Sequence, residues 1–402
     1  MLGLMQDRPL LISSMIEFAA SYYPDVEIVT RTVEGPIHRY GYKDAAKRAK
    51  QVAEALQGLG IKLGDRIGTL AWNTHRHFEL YFGISGLGAV LHTINPRLAP
   101  EHVAYIANHA EDKVIFVDLN LLPIVEGVWE HLKTVKHVVV MTDRAHMPES
   151  KKIPKLLCYE DLIADNPGML TWPLFDEKTA SSLCYTSGTT GNPKGVVFSH
   201  RGATLASYGN ATQWPIGLHP RYLWTLPMFH CNGWCFPWSL SVVGGTHVTL
   251  RWVRSKLVWE ALVEHRVTHL CGAPIVMATI LNASAEEKRE LSQKVEFFTA
   301  AAPPPEAVLA AMAEAGFNVT HLYGLTETYG PAVVNDWKDD WDRLDGPARA
   351  AKKARQGVRY HALEDLTVMD PEAMTRVAAD GASLGEVMFR GNIVMKGYLK
   401  NP

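Results

Sequence analysis

The segment SSLCYTSGTTGNPKGVVFSH (181–200) joins an apolar, strand-like run to a second such run through a loop of serine, threonine and glycine. Three glycines let the loop backbone approach an anion closely, four hydroxyl side chains can donate hydrogen bonds, and Lys194 adds a positive charge. The glycines are Gly188, Gly191 and Gly195, and the hydroxyl residues are Thr186, Ser187, Thr189 and Thr190. The loop is therefore predicted to bind the phosphates of a nucleotide.

This loop differs from the Walker A loop of kinases and GTPases. A Walker A loop would need glycine where Pro193 stands and serine or threonine where Gly195 stands. The following VVFSH reads as a strand, whereas a Walker A loop opens a helix. These differences weaken the kinase and GTPase interpretations, and the remaining alternative is an ordinary surface turn of small polar residues.

Strand-like and helix-like segments alternate on both sides of the loop. Residues 42–60 form a predicted amphipathic helix that stops at Gly60. Further strands are predicted at residues 65–71, 113–118, 136–141, 222–227, 269–272, 295–300 and 318–323. Further helices are predicted at residues 76–92, 100–110 and 304–316, and two more are predicted to start at residues 233 and 274. This alternation predicts an α/β fold with doubly wound, mainly parallel sheets.

Two other segments refine this picture. FGISGLGAV (82–90) lies within a helical pattern and lacks the order of a dinucleotide-binding loop, so its glycines are predicted to allow close helix packing. After Tyr323 the pattern changes, and segments such as GEVMFRG (385–391) predict a smaller, mainly β part.

The composition of the chain argues against several classes of function. The 402 residues are 47% hydrophobic, and 40 Lys and Arg face 42 Asp and Glu, which gives no basic footprint for nucleic acid. No apolar run approaches the ~18 residues of a membrane span, and Asp7 and Arg8 interrupt the N-terminal apolar stretch, so we expect a cytoplasmic protein. The five cysteines are odd in number and suit free thiols, and Cys231 and Cys235 lack a second ligand pair at zinc spacing.

Four motifs in order resemble the adenylate-forming superfamily of acyl-CoA synthetases, adenylation domains and luciferases. They are YTSGTTGNPKGV (185–196), LPMFHCNGW (226–234), FFTAAAPPPEAV (297–308) and HLYGLTETYG (321–330). The insertion at 335–360 and AAAPPP resemble the branch of medium-chain fatty-acyl-CoA ligases, plant acyl-activating enzymes and 3-(methylthio)propanoate-CoA ligase. The resemblance implies a large N-terminal AMP-binding domain over 1–402, divided near 1–180, 181–330 and 331–402 into two doubly wound subdomains and a small distorted β-barrel.

The resemblance also implies roles for individual residues. Thr186 and Glu327 would hold Mg²⁺, Thr326 would contact the α-phosphate, and Lys194 would accompany the β- and γ-phosphates. Tyr323 would stack on adenine, His230 would orient the carboxylate, and Trp234 would wall the acyl passage. The implied catalytic residues are His230, Thr186, Lys194 and Glu327. The implied nucleotide-binding residues are Thr186, Ser187, Gly188, Thr189, Thr190, Gly191, Lys194, Ala300, Ala301, Ala302, Pro303, His321, Leu322, Tyr323, Gly324, Thr326 and Glu327. The residues implied to line the acyl and coenzyme A passage are His230, Trp234, Ala301 and Gly324.

The residues alone support part of this assignment. Ala300 and Tyr323 end strand-like runs and His230 follows a third, and open α/β sheets bind ligands outside the carboxyl ends of their strands. Without the motif, a histidine among aromatics would more simply be a core residue. The spacing between His230 and Trp234 matches one turn of the helix predicted from Gly233, so both are expected to face one crevice.

The resemblance implies an ATP-dependent acid–thiol ligase that converts a short- or medium-chain carboxylic acid to acyl-AMP and then to acyl-CoA, with Mg²⁺ as cofactor and a homodimer as a permitted assembly. The alternatives are an adenylation domain that serves a carrier protein, a luciferase-like oxidase, or a non-catalytic nucleotide-binding module. In that family a ribose-binding Asp and a small domain with a catalytic Lys follow the region that ends here at Pro402. Lys396 and Lys400 come too early for that role, so we expect residues 1–402 to fold, to bind nucleotide weakly and to turn over slowly.

Overall fold

The computed structural model describes residues 3–186, 192–300 and 302–401, in which strands and helices alternate along the chain. The strands of these residues are β1 (Glu27–Arg31), β2 (Ile37–Gly41), β3 (Arg66–Leu70), β4 (Val90–Ile94), β5 (Val114–Asp118), β6 (His137–Met141), β7 (Leu156–Cys158), β8 (Ala180–Tyr185), β9 (Gly195–Ser199), β10 (Arg221–Trp224), β11 (Thr246–Thr249), β12 (His269–Cys271), β13 (Val295–Thr299), β14 (Phe317–Leu325), β15 (Gly330–Val334), β16 (Val358–Arg359), β17 (Leu363–Asp370), β18 (Thr375–Arg376), β19 (Glu386–Gly391) and β20 (Gly397–Tyr398).

The α-helices cover the apolar faces of the sheets. Within the described ranges they are α1 (Ser13–Tyr22), α2 (Tyr42–Gly58), α3 (His75–Gly86), α4 (Pro100–Ala110), α5 (Leu122–Val128), α6 (Tyr159–Ala164), α7 (His200–Gln213), α8 (Phe236–Val242), α9 (Ser255–Glu264), α10 (Pro274–Leu281), α11 (Glu306–Glu314) and α12 (Gly346–Lys353). Short 3₁₀ turns occupy Leu119–Leu121, Trp129–His131, Arg144–His146, Cys231–Cys235, Thr326–Thr328 and Asp339–Arg343.

In the part of the chain that the structure describes, the strands form two large sheets and one small one. The first sheet has eight strands in the order β20-β9-β8-β4-β3-β5-β6-β7, and the second has nine in the order β16-β15-β14-β13-β12-β10-β11-β1-β2. Both have parallel centres; the second sheet is antiparallel at both edges, the first only at its β20-β9-β8 edge, and β18-β17-β19 is antiparallel throughout. The α/β fold with two mainly parallel sheets and a small β part is therefore confirmed.

Gly83 allows helices α2 and α3 to pack closely, as the sequence predicts, and Gly86 makes room for Trp172. A Cβ atom on Gly83 would lie 2.6 Å from Cγ1 of Val52, and one on Gly86 would lie 2.6 Å from the ring of Trp172. Side chains at these positions would have to displace fully packed neighbours. The close-packing interpretation is confirmed, and the loop of a dinucleotide site is not needed to explain these glycines.

The helix predicted over 76–92 is wrong beyond Gly86. The chain turns at Gly88, where φ is +89°, and then enters β4, which lies between β3 and β8 in the first sheet. All five residues of β4 are buried. A strand that is buried on both faces shows a continuous apolar run rather than alternation, so periodicity could not separate it from the preceding helix.

The two large sheets draw strands from distant parts of the chain. Strand β1 pairs with β11 of the second sheet and β2 pairs with β1, although both come before every strand of the first sheet. Strand β20 returns to β9 of the first sheet. The predicted division near residues 180 and 330 stays a prediction. No helix among the described residues has the length and apolar character that a bilayer crossing requires.

Candidate functional site

The loop after β10, which leads to His230, is clamped by buried polar side chains. Nδ2 of Asn73 donates to the carbonyls of Trp224 and Leu226 at 2.9 and 3.0 Å, and its Oδ1 accepts from the amide of Met228 at 2.7 Å. The hydroxyl of Tyr81 donates to the carbonyl of Met228. Because these bonds are buried, loosening the loop would leave polar groups without partners, which costs about 1–3 kcal/mol each.

His230 is followed by a left-handed turn rather than by the predicted helix. The φ angles of Cys231, Asn232, Gly233, Trp234 and Cys235 are 39°, 41°, 59°, 52° and 61°. A left-handed conformation costs about 1–2 kcal/mol for each residue with a side chain. The prediction of a helix from Gly233 is therefore wrong, since α8 begins only at Phe236.

Hydrogen bonds from neighbouring elements hold this turn. Nδ2 of Asn210 donates to the carbonyl of Trp234 at 2.9 Å, and Nδ2 of Asn232 donates to Oγ1 of Thr93 at 3.1 Å. Strained backbone of this kind persists where the surroundings over-determine it, and it is frequent at active sites. The Asn-Gly pair in CNGW was the one local signal for a turn, and it could not show that the turn extends over five residues.

The turn opens onto a main cavity of about 730 Å³. Its lining includes His230, Cys231, Trp234, Ala300, Gly324 and Thr326. The imidazole of His230 is exposed at this cavity, and Oγ1 of Thr326 lies 3.4 Å from Sγ of Cys231. The structure thus brings together predicted residues from three motifs that are separated by up to about a hundred positions in the chain.

Trp234 forms a fixed wall of the main cavity. Its side chain is 7% exposed, and a Cβ atom on Gly330 would lie 2.5 Å from its Cδ1. The ring of Trp214 packs edge-on against it, with centroids 6.5 Å apart. His230 and Trp234 share the cavity as predicted, although a left-handed turn rather than a helix places them there.

Gly324 lines the same cavity and also permits close strand pairing. The register of β14 and β15 shifts between Tyr323 and Gly324, and a Cβ atom on Gly324 would lie 2.0 Å from the carbonyl oxygen of Gly330. A side chain at this position would collide with backbone. Glycine is therefore required by the bulge itself, apart from any ligand.

On the phosphate-loop side of the site, Tyr398 connects two predicted residues. Its hydroxyl donates to Oε1 of Glu327 at 2.8 Å, and Nζ of Lys194 lies 5.1 Å from the centroid of its ring. Partial burial and the bond to Glu327 raise the pKa of Tyr398, so the phenol remains a donor at neutral pH. Lys194 is tied in turn to Thr186, whose Oγ1 accepts from its amide at 3.2 Å.

Sequence reasoning missed Tyr398 as well as Asn73, because no local pattern marks either residue. Six predicted site residues lie outside the described residues: Ser187, Gly188, Thr189, Thr190, Gly191 and Ala301.

The lining of the main cavity does not include the predicted nucleotide-binding residues Ala302, Pro303, His321, Leu322 and Tyr323. The ring of Tyr323 stacks on Phe389 with centroids 5.9 Å apart, and it lines a separate cavity of about 720 Å³ against the small sheet. His321 is buried and its Nδ1 pairs with the carbonyl of Ala354 at 3.0 Å, and Leu322 is buried in the core. Ala302 and Pro303 are exposed and are not among the residues that line either cavity.

The oxygen donors near the phosphate loop fit a magnesium ion that is carried by a nucleotide. Within the described ranges, no group of three or more His, Cys, Asp and Glu side chains could hold a metal ion. Mg²⁺ usually binds one or two protein oxygens and takes its other ligands from phosphates and water. The Glu327 carboxylate, oriented by Tyr398, and the Thr186 hydroxyl meet that requirement.

Comparison with known proteins places this geometry in a family. The family model of AMP-binding enzymes matches residues 16–399. The chain is 41% identical to the peroxisomal acetate/butyrate–CoA ligase of Arabidopsis thaliana, over 93% of this chain and 68% of that protein. It is also 41% identical to an acetate–CoA ligase of Humulus lupulus, over 96% of this chain and 70% of that protein.

A solved structure supports the fold. The anthranilate CoA ligase in complex with anthranoyl-AMP superposes with a TM-score of 0.85 over 99% of this chain and 73% of that chain, at 23% identity. The expected cytoplasmic location stays a prediction, since the Arabidopsis relative is described as peroxisomal. By its matching family model and by relatives that are acid–CoA ligases at about 40% identity, the chain belongs to the AMP-binding enzyme family.

Proposed function

We propose that this chain activates a short-chain carboxylic acid with ATP as acyl-AMP and passes the acyl group to the thiol of coenzyme A. The observation that carries the proposal is the main cavity, which is lined by His230, Trp234 and Thr326. Glu327 directly follows Thr326 in the sequence. Relatives named as ligases of acetate, butyrate and 2-methylpropanoate support the choice of short acids. A place beside the medium-chain fatty-acyl-CoA ligases stays a prediction.

The first half-reaction joins the acid to AMP. One carboxylate oxygen attacks the α-phosphorus of ATP, a P–O bond forms, and the bond to pyrophosphate breaks. Negative charge grows on the phosphates, and groups that stabilise it in place lower the barrier. We assign Lys194 to the β- and γ-phosphates, Thr326 to the α-phosphate, and His230 to the orientation of the carboxylate.

Glu327 and Thr186 would hold the Mg²⁺ that arrives with ATP. When bound, the ion supplies positive charge that offsets the phosphate oxygens. The protein's own contribution is to fix the carboxylate of Glu327, and the hydrogen bond from Tyr398 does so. The backbone amide of Met395 also donates to the carbonyl of Glu327 at 2.8 Å, which ties this residue to the chain segment before β20.

The second half-reaction transfers the acyl group. The sulfur of coenzyme A attacks the acyl carbonyl carbon, a C–S bond forms, and the bond to AMP breaks. The main cavity has a volume of about 730 Å³, which lies within the range of ligand sites, roughly 300–1,000 Å³. Its walls are mostly apolar side chains such as Val253, Ile275 and Val276.

The experiment that tests this function is an assay for acyl-CoA products. The protein would be incubated with ATP, Mg²⁺, coenzyme A and acids from acetate to octanoate, and products would be identified by mass spectrometry. We expect thioesters of short acids, formed only with ATP, together with AMP and pyrophosphate. Formation of acyl-AMP without any thioester would favour a carrier-protein adenylation domain, and no acid-dependent use of ATP would refute the proposal.

A further inference from the structure

Another pocket, of about 370 Å³ and here called the polar pocket, lies at the carboxyl ends of β3 and β6. His75 and Arg76 follow β3, and Asp143 follows β6. In the first sheet the chain passes from β3 to β4 on one side and then from β4 to β5 on the other side of β3, and open α/β sheets bind ligands where the direction of the connections reverses in this way. The polar pocket and the main cavity have no described lining residue in common.

A network of ion pairs forms the wall of the polar pocket. Arg76 donates to Oε1 of Glu34 at 2.8 Å and to Oε1 of Glu160 at 2.7 Å. Arg48 donates to Oε1 of Glu79 at 2.8 Å and to Oε2 of Glu160 at 3.0 Å. Each guanidinium group is therefore shared between two carboxylates, which leaves little of its positive charge uncompensated.

Carboxylates outnumber guanidinium groups at this pocket. Glu34, Asp143 and Glu160 line it together with Arg48 and Arg76, and the Glu79 carboxylate lies directly behind Arg48. Burial raises the pKa of Glu34, but the hydrogen bond from Thr142 and the charge of Arg76 outweigh it and leave that pKa below its ordinary value. The pKa values of Asp143 and Glu160 are lowered too, so the three lining carboxylates are ionised at neutral pH and outnumber the two guanidinium groups, which gives the pocket excess negative charge.

Two neutral imidazoles complete the lining. The rings of His38 and His75 stack with centroids 4.1 Å apart. Burial lowers the pKa of His38, and burial with the nearby His38 and Arg76 lowers the pKa of His75 well below its ordinary value. At neutral pH each ring therefore offers one nitrogen that accepts a hydrogen bond.

Three buried polar atoms at this pocket lack a protein partner. Within the described part of the chain, no hydrogen-bond partner lies near Oε2 of Glu34, Nε2 of His38 or Nδ1 of His75. The side chain of Glu34 is 3% exposed and His75 is 2% exposed. A buried carboxylate oxygen is rarely left without a donor, and either nitrogen of a neutral imidazole becomes an acceptor in one of its two tautomers, so these atoms indicate a ligand that brings its own donors.

We propose that the polar pocket binds a small organic cation with several N–H groups, an alkylguanidinium or alkylammonium compound. Such a cation matches both the excess negative charge and the separate acceptors of Glu34, His38 and His75. A metal ion fits less well, because among the described residues no three such side chains converge on one ion. The proposal goes beyond the function proposed above and does not depend on it.

The test is binding of methylguanidinium chloride at low ionic strength, followed by saturation-transfer NMR on the ligand methyl group. Tetramethylammonium, which has the same charge and no N–H group, is the ligand control. Glu34→Gln removes the carboxylate charge, and His38→Phe keeps the stacked ring while removing both nitrogens. Glu314→Gln, an exposed carboxylate at the end of α11, is the protein control.

We expect saturable binding of methylguanidinium, at least about tenfold weaker in Glu34→Gln and in His38→Phe and unchanged in Glu314→Gln. Tetramethylammonium should bind far more weakly. Because Glu34→Gln breaks a buried ion pair, thermal melting of each variant accompanies the titration, and His38→Phe decides the result if Glu34→Gln does not fold. Absence of saturable binding, equal binding in the folded variants, or equal binding of tetramethylammonium would each overturn the proposal. No ATP or acid is required, so failure here leaves the proposed function untouched.

Discussion

Replacement of Trp234 should move the preference of the site toward longer acids. The indole is 7% exposed and forms one wall of the main cavity, so Trp234→Ala converts the space of a ring into room for an acyl chain. Burial of one methylene contributes about 0.8 kcal/mol, which is about a fourfold change in affinity. If three methylenes of hexanoate enter the new space, the ratio of kcat/KM for hexanoate over acetate should rise by about 50-fold.

The substitution also has a cost in stability. Removal of a buried tryptophan side chain typically destabilises a protein by about 3–5 kcal/mol, and Trp234 packs against Trp214 and Gly330. Trp234→Phe is the milder companion variant. Trp214→Ala is the matched control, since Trp214 is 4% exposed and touches Trp234 but is not among the lining residues.

Two measurements report the effect. The first is kcat/KM for acyl-CoA formation across acids from acetate to octanoate, and the second is the affinity of acyl-sulfamoyl adenosines of the same chain lengths, which needs no turnover. We expect longer chains to gain in Trp234→Ala and no change of preference in Trp214→Ala, after melting curves confirm folding. Equal loss for every chain length in a folded Trp234→Ala protein would refute the role of this ring as the wall of the acyl site.

Three further predictions concern the phosphate side and the core. Glu327→Gln keeps the size of the side chain and removes its charge, so it should weaken Mg²⁺-dependent ATP binding at least about tenfold in calorimetry, with little change in melting temperature. Unchanged binding would show that Glu327 is not a Mg²⁺ ligand. Tyr398→Phe should lower the same affinity by about three- to tenfold, because the carboxylate loses its orienting donor, and an effect on melting alone would make Tyr398 structural. Burial raises the pKa of Asp118 to about 7, so the stability that its protonated form gives is present at pH 4 and is lost as the pH rises toward 7. Urea unfolding should show the wild type losing up to about 4 kcal/mol relative to Asp118→Asn over that range, and parallel curves would contradict this.

The sequence predicted the fold where local patterns sufficed. Helix α4 and strands β5 and β6 match their predicted segments to within one residue, because their apolar periodicity and end signals are strong. Strand β4 was missed since both of its faces are buried, so that its residues do not alternate between apolar and exposed polar positions. The strand order could not be read from the sequence, because β1 pairs with β11, more than two hundred residues later.

The residues of the candidate site also divide into those that the sequence predicted and those that it did not. The motifs supplied His230, Trp234 and Thr326, and the structure places all three at one cavity. The left-handed turn after His230 was missed, because consecutive positive φ angles arise from tertiary contacts rather than from local preference. Tyr398 and Asn73 were missed because their partners lie 71 and about 150 residues away along the chain. The assigned roles themselves rest on the family resemblance and stay proposals.

The role of the main cavity as the acyl-adenylate site is tested most directly by calorimetric titration of the protein with butanoyl-sulfamoyl adenosine, a stable analogue of butanoyl-AMP. We expect this compound to bind at least about 100-fold more tightly than adenosine or butyrate alone, because an active site binds reaction intermediates more tightly than it binds parts of its substrates. His230→Ala should weaken it and Trp234→Ala should weaken it relative to the octanoyl analogue, whereas Trp214→Ala that remains folded should do neither. Binding no tighter than that of adenosine, or binding indifferent to His230 and Trp234, would contradict the claim that the main cavity is the acyl-adenylate site.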